Sequence, residues 1–371
     1  MRFLLVNFDY SDFLDWFYGR HPGLAEQPFE EQYRARMASL HNVTTFYPRH
    51  LEALGHEAWH VWVNNEPLQR AWARQHGVKL TPRRRLHFRM RRHLVPWVSY
   101  ERTERWRDEV LRAQIEHYKP EVLMCFYIVL SREFLLEVKP HLRWLVGQHA
   151  APVPRGVDFT VYDLMISSLP NLVSHFRSLG VRSELVKWAF EPAALDSIGQ
   201  PEQTIAVSFI GSLQPAHAGR REWLEYLCER LPLDVWGPNL EGLPPDSPVR
   251  PRYRGQAWAE EMYGLLARSR ISLNHHIDVA GNHANNLRLF EATGMGSLLV
   301  TDHKSDLHQM FEPGTEVVTF KDAPECVERV RYYLEHEDER AAIARAGQQR
   351  TLRDHRLKDR IAELVRAIES L

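Results

Sequence analysis

Short runs of apolar, β-branched and aromatic residues alternate along this chain with longer stretches whose apolar positions recur at helical spacing. That alternation marks βα units wound around parallel sheets, so the predicted fold class is α/β. In the first half, strands are predicted at 3–8, 57–63, 122–130, 144–148, 164–167 and 184–188, with helices over 31–54 and 100–117. In the second half they are predicted at 205–210, 233–236, 249–253, 271–274, 298–301 and 317–320. Two sets of about six strands result. Between them, residues 191–202 contain Pro192, Gly199 and Pro201 without clear periodicity, which places a domain boundary near residue 200. The charged segment 323–371 carries an intermittent apolar stripe, Leu334, Ile343, Leu352, Leu357, Ile361 and Leu364, and reads as two or three helices.

Composition narrows the class without changing the picture. The chain has 371 residues, enough for two domains, and is 44% hydrophobic and 26% charged, as ordinary globular proteins are. A net charge of −1 gives no global reason to expect a nucleic-acid partner. Cys125, Cys228 and Cys326 are scattered and form no CxxC pair, so neither a disulfide framework nor a zinc knuckle is expected. No apolar run approaches the ~20 residues of a bilayer span, and no signal peptide is visible. The expected location is the cytoplasm, at most peripheral to the inner face of the membrane. One basic block stands out: Arg83, Arg84, Arg85, Arg89, Arg91 and Arg92. It suits a solvated helical face, and beyond that an anionic acceptor or membrane surface; RNA is disfavoured because no nucleic-acid module accompanies it.

The richest segment is 271–302, which reads as strand, polar loop, helix, glycine break, strand. Ligands of open parallel sheets collect at the carboxyl ends of strands, so the loop 278–283 and the helix start belong on the ligand side. The unpaired N–H groups at Asn285, Asn286 and Leu287 and the positive end of the helix dipole suit a phosphate. Gly281 and Asn282 allow close backbone approach, and Arg288 can add a bidentate contact. Glu291, within two turns, is either a solvent-facing helical glutamate or a carboxylate that accepts hydrogen bonds from ribose hydroxyls. Together these residues describe a site for a nucleoside diphosphate.

The run Asn286-Leu287-Arg288-Leu289-Phe290-Glu291-Ala292, followed by 294–302, resembles the nucleotide-binding half of GT-B glycosyltransferases, in particular the CgeB-like group of family 1/family 4 type. Ser208-Phe209-Ile210-Gly211-Ser212, Val235-Trp236-Gly237-Pro238 and the stretch from Tyr162 to Gly180 add to the resemblance, which covers most of 160–350; residues 1–150 match only loosely. It implies two Rossmann-like domains facing each other across a cleft: 1–200 on the acceptor side, 201–350 binding a nucleotide-sugar, and a C-terminal helix, 351–371, able to cross back. It implies a glycosyltransferase taking a sugar from a nucleoside-diphosphate donor, UDP being expected, to an unidentified acceptor: a small molecule, glycan, lipid-linked glycan or protein. Gly211 and Ser212 fall where such enzymes let a loop approach the diphosphate, helped by Arg220 or Arg221. Trp236, Gly237 and Tyr253 follow strands and are either core or contacts to the base. Retaining members carry two glutamates flanking seven residues. Glu291 fits the second; the first position holds His283, which leaves stereochemistry open.

For the acceptor side, His149 follows a strand and is the candidate base, against a structural histidine; Asp9 and Asp12 are alternatives and His21 a weaker one. His275, His276, Asp278 and His283 look like a metal cluster, yet neighbours at a strand end point to opposite faces. With no Asp-x-Asp in the chain, neither a metal nor another cofactor is expected. A serine-hydrolase elbow and a dinucleotide Gly-x-Gly-x-x-Gly are both missing, which sets those classes aside. The competing readings are a nucleotide-sugar epimerase on the same scaffold and a non-catalytic nucleotide-sugar-binding protein.

Overall fold

The computed structural model describes residues 1–81, 84–91, 95–102, 104–213 and 219–371, with backbone alone at 84–91 and 95–102. The strands of the first half are β1 (Arg2–Asn7), β2 (Glu57–Trp62), β3 (Arg84–Arg91), β4 (Val95–Arg102), β5 (Val122–Cys125), β6 (Trp144–Gln148), β7 (Leu164–Ser167) and β8 (Ser183–Leu185). Six of them form one sheet in the order β2-β1-β5-β6-β7-β8. β1 lies parallel between β2 and β5, with Leu4 opposite both Trp59 and Leu123. Phe3, Leu4 and Leu5 are fully buried, as the continuous apolar run of a strand covered on both faces requires.

The second half contributes β9 (Ile205–Ile210), β10 (Leu233–Trp236), β11 (Ser269–Asn274), β12 (Leu298–Asp302) and β13 (Val318–Phe320), a parallel sheet in the order β10-β9-β11-β12-β13. In each sheet the first strand lies between the second and the third, so the winding reverses there. In the second sheet the reversal point, where ligands bind open α/β sheets, lies beyond the carboxyl ends of β9 and β11.

The chain divides into two compact units: residues 1–38, 51–149 and 156–165, and residues 39–50, 150–155 and 166–371. The last strand of the first sheet ends at Leu185 and the first of the second begins at Ile205, so the expected boundary near residue 200 lies between the sheets. By contact, however, residues 166–200 and two excursions of the first half group with the second unit.

Four local expectations are corrected. The helix expected over 31–54 is two, Phe29–Ala38 and Tyr47–Ala53, because Leu40 (φ 59°) and Asn42 (φ 65°) take left-handed backbone and Asn42 Oδ1 accepts a hydrogen bond from Thr44 N at 3.2 Å. The basic block is not helical: β3 and β4 pair antiparallel, Arg85 opposite Glu101. Arg83 and Arg92 lie outside the described residues, and so do the side chains between them. The strand expected over 122–130 stops at Cys125, and 249–253 is a single 3-10 turn, Arg250–Arg252, joined to β10 only by a bridge from Tyr253 to Val235.

Three helices close the chain, Ala323–Glu335, Glu337–Asp354 and Leu357–Glu369. Val327, Val330 and Ile343 from the first two pack into the core that covers one face of the second sheet. The last buries Leu357, Ile361, Leu364 and Ile368 and ends beside the start of β8, where Arg182, the residue before that strand, donates to Ser370 O and Oγ, each at 2.8 Å. Among the described residues no helix is long and apolar enough to cross a membrane.

Candidate functional site

The site is built from the turns that leave β9, β10 and β11. Gly211 N donates to Trp236 O at 2.9 Å, and Leu213 N to Pro238 O at 3.1 Å, so the turns after β9 and β10 run backbone against backbone. Gly237 makes this approach possible: a Cβ there would lie 1.8 Å from Gly211 O. The aromatic residues hold these turns in place. Trp236 is buried in a core with Tyr263 and Leu266, and Tyr253 Oη donates to Gly237 O at 2.9 Å. Of the two expectations for Trp236, core or a contact to the base, its packing here corresponds to the core.

Two arginines flank the turn after β9. Arg220, the first residue of helix Arg220–Cys228, donates to Ser212 O (3.2 Å) and His275 O (2.7 Å), bridging the ends of β9 and β11. It is 8% exposed, and its Nε has no partner among the described residues. Burial pushes its pKa down to about 10 against the opposing charges of Asp302 and Asp278, so it stays a cation at neutral pH. Arg221, by contrast, is exposed and pairs with Glu222 at 3.0 Å. On the other flank, Arg288 donates through Nη2 to Ile210 O at 3.1 Å, and its Nη1 lies 2.9 Å from Glu291 Oε2. Glu291 is 6% exposed; burial raises its pKa and Arg288 opposes the shift.

The loop after β11 leads into helix Leu287–Gly294, capped by Asn286, whose Oδ1 accepts from Leu289 N at 3.3 Å. Asn286 Nδ2 donates to Asn274 Oδ1 (2.6 Å) and Asn274 Nδ2 to Thr301 Oγ1 (2.9 Å), so the cap is tied to the ends of β11 and β12. The cap takes one orphan donor of the first turn and leaves the N–H groups of Leu287 and Arg288 without intrahelical acceptors. Asn285 is buried, and its Oδ1 has no partner among the described residues. Gly281 takes φ 54°, Lys304 Nζ donates to its carbonyl at 2.7 Å, and Ser305 N and Oγ donate to Asn282 O.

Sequence reasoning missed the carboxylates under this loop. Asp302, at the end of β12, accepts from His276 N (3.0 Å) and His276 Nδ1 (2.6 Å), and its Oδ2 lies 3.2 Å from Lys304 Nζ. Asp306 accepts from Ala284 N (2.6 Å) and His283 Nδ1 (3.0 Å), with Lys187 Nζ at 3.7 Å. Asp302 ends a strand that the pattern locates, and that rule nominates it; Lys187 and Asp306 are too far apart for any spacing to join them. His275 turns to Trp223, ring centroids 5.1 Å apart, while His276 turns to Asp302. Among the described residues no three His, Cys, Asp or Glu side chains converge as a metal site.

In the first unit, Asp9 is not free to act as a base. Arg36 Nε and Nη2 grip its carboxylate at 3.1 and 2.6 Å, both residues almost fully buried, and the guanidinium lies over the Trp62 ring at 4.3 Å. Asp12 sits in the first turn of helix Ser11–Arg20, and His21 Nδ1 bonds Phe17 O at 2.8 Å. His149 follows β6, half-buried, its ring 6.1 Å from that of Phe159.

Residues 220–366, beginning at the bridging arginine, match the family model described as glycosyl transferase-like. The second unit carries a glycosyltransferase domain. Solved structures extend the fold to the whole chain. A glycosyltransferase from Rickettsia africae is 9% identical with a TM-score of 0.60, covering 100% of this chain and 98% of its own. Anabaena Alr3699/HepE in complex with UDP-glucose is 12% identical with a TM-score of 0.57, covering 100% of each chain. The pneumococcal O-GlcNAc transferase GtfA in complex with UDP and GlcNAc is 9% identical with a TM-score of 0.56, covering 100% and 99%. Among curated proteins none matches. The fold is that of GT-B glycosyltransferases: two parallel-sheet α/β domains with C-terminal helices.

Proposed function

We propose that this protein transfers a sugar from a UDP-linked donor to an acceptor nucleophile, without a metal, and that it belongs with the CgeB-like group. The observation that carries the reading is the pair of arginines on either side of Gly211, Arg220 buried and Arg288 partly so, bonded to the carbonyls of Ser212 and Ile210 at the reversal point of the second sheet. Arg220, Arg288 and the N–H groups that open helix Leu287–Gly294 are preorganised donors for a diphosphate whose charge grows as the sugar leaves. That concentration of positive charge does the work a divalent ion does elsewhere. Glu291, buried beside Arg288, accepts the ribose hydroxyls. The UDP complexes among proteins of this fold make UDP the first donor to try. In the first unit we assign acceptor deprotonation to His149, since Asp9 is committed to Arg36. Residues 1–200 serve the acceptor and 201–350 the donor, in the cytoplasm.

Calorimetric titration with UDP, GDP and dTDP tests the donor site. UDP is expected to bind most tightly, and R220A to lose about 1.5–3 kcal/mol of that affinity, the worth of hydrogen bonds to a charged group. Equal affinity in R220A, or no nucleoside-diphosphate binding at all, overturns the assignment. Incubation of UDP-sugars with an acceptor panel separates transfer, which releases UDP, from epimerisation, which alters the sugar with no acceptor present.

A further inference from the structure

Helix Glu66–Gln75 leaves the carboxyl end of β2, the end at which parallel sheets collect ligands. Its start is fixed by Asn65, whose Oδ1 accepts from Leu68 N at 3.3 Å and from Tyr18 Oη at 2.7 Å. Helical spacing puts Glu66, Arg70 and Arg74 on one face, and with Ala25 and Pro67 they line an open cavity of about 440 Å³, a volume typical of small-molecule sites. Arg70 is held there twice. Its Nε donates to Glu66 Oε1 at 2.7 Å, and its guanidinium lies 5.5 Å from the ring centroid of the buried Trp106. That uses one donor of the guanidinium fork, and Nη2 has no partner among the described residues. Arg74, one turn on, is exposed and makes no hydrogen bond or ion pair among the described residues. The positions three and four away from it hold Arg70, Ala71, Gly77 and Val78, so its own helix offers it no acid and one like charge that repels it. Glu30, which reaches the end of this helix, accepts from Gln75 instead.

We propose that this cavity binds an acidic group of the acceptor, a carboxylate or a phosphate, through Arg70 and Arg74; that the ligand is the acceptor rests on the transfer reading above. Two arginines against one glutamate give the lining a net positive charge. The guanidinium fork matches both acidic groups bidentately. Glu66 does not cancel the site: it is spent on Arg70 Nε, and together with the Trp106 ring it holds the Arg70 side chain in one place before any ligand arrives. A donor fixed in advance loses less conformational freedom on binding. Arg74 supplies the charge that no neighbouring acid balances. The volume exceeds what a bare carboxylate or phosphate fills, which leaves room for the part of the acceptor that carries it.

The test is direct binding, which needs no turnover. The full-length protein is titrated calorimetrically with glucose 6-phosphate, glucuronate and glucose at low salt, since ions screen exposed charges. The two anions distinguish phosphate from carboxylate, and glucose is the neutral control. At least one anion is expected to bind, with glucose at least about tenfold weaker, and R74Q and R70Q are each expected to weaken that anion by about tenfold or more, the scale of a hydrogen bond to a charged group. R74Q changes an exposed side chain without partners, so the result stands even if R70Q, which strips Glu66 of its arginine, fails to fold. Neither anion binding more tightly than glucose, or equal anion affinity in wild type and R74Q, overturns the inference. UDP is titrated into the same wild-type preparation. Bound UDP without anion selectivity overturns this inference and leaves the donor reading intact, whereas absence of UDP binding overturns the donor reading and, with it, the acceptor as the ligand of this cavity.

Discussion

Arg288 and Glu291 sit one turn apart on the same helix, Nη1 to Oε2 2.9 Å, and share a site almost closed to solvent. Burial raises the Glu291 pKa and only the guanidinium opposes it. Removing one member of a buried ion pair costs roughly 3–5 kcal/mol, so R288A is expected to be strongly destabilised at neutral pH. A carboxyl with a raised folded-state pKa favours folding in its protonated form, and that contribution is lost as pH rises through the folded pKa. The R288A deficit should therefore shrink on acidification. Urea unfolding at pH 5 and pH 8 measures it; the same deficit at both contradicts the pairing.

Gly237 is expected to tolerate no side chain. The Cβ of G237A would meet Gly211 O at 1.8 Å, backbone against which no rotamer can yield. The turns after β9 and β10 must separate, at a cost of at least 1–3 kcal/mol by the usual scale of overpacking, roughly estimated. Thermal unfolding together with UDP titration reads both consequences, and an unaltered melting temperature refutes the close approach.

The strands that build the second sheet were legible because a strand covered on both faces is mainly apolar, and Ile205–Ile210 and Leu233–Trp236 are short apolar runs broken only by Ser208 and Asp234. Asn286, Arg288 and Glu291 were legible as a helix start beyond a strand. The hairpin was missed although Leu86, Phe88 and Met90 alternate with polar residues, the period-two signal of a strand; the six arginines drew attention to charge instead. Asp306 and Lys187 were invisible for a different reason: 119 positions separate them in the chain, and only folding brings the amine to the carboxylate.

Asp9 and His149 are expected to separate cleanly on mutation. D9A leaves the Arg36 guanidinium buried without its carboxylate, a loss of roughly 3–5 kcal/mol, whereas H149A, half-buried at a strand end, stays folded. Chemical denaturation distinguishes them; a D9A protein as stable as wild type refutes the structural role of Asp9.

Asp302 predicts the acid limb of stability. Burial is the largest single influence on its pKa and pushes upward, but the His276 hydrogen bond and the charges of His276, Lys304 and His275 outweigh it, and the net shift is down. A carboxylate with a depressed folded-state pKa contributes stability at neutral pH that disappears as pH falls through that value. D302N is thus expected to be less stable than wild type at pH 7 and to lose less on acidification. Denaturation midpoints between pH 7 and pH 3 decide it; parallel curves for the two proteins exclude the proposed origin.

Residues 39–50 belong by contact to the second unit: Leu40 packs on its core, His41 meets the Trp258 ring at 5.6 Å, and His50 Nε2 lies 2.5 Å from Glu191 Oε2. A protein cut at the sequence boundary would leave this piece behind. An expressed donor half beginning at residue 201 would expose the apolar surface under Leu40, and one beginning at 166 would still strand a buried Glu191 without its histidine. The two halves of the gene are therefore not interchangeable modules, and a chimera that swaps one must carry these twelve residues with the half they serve.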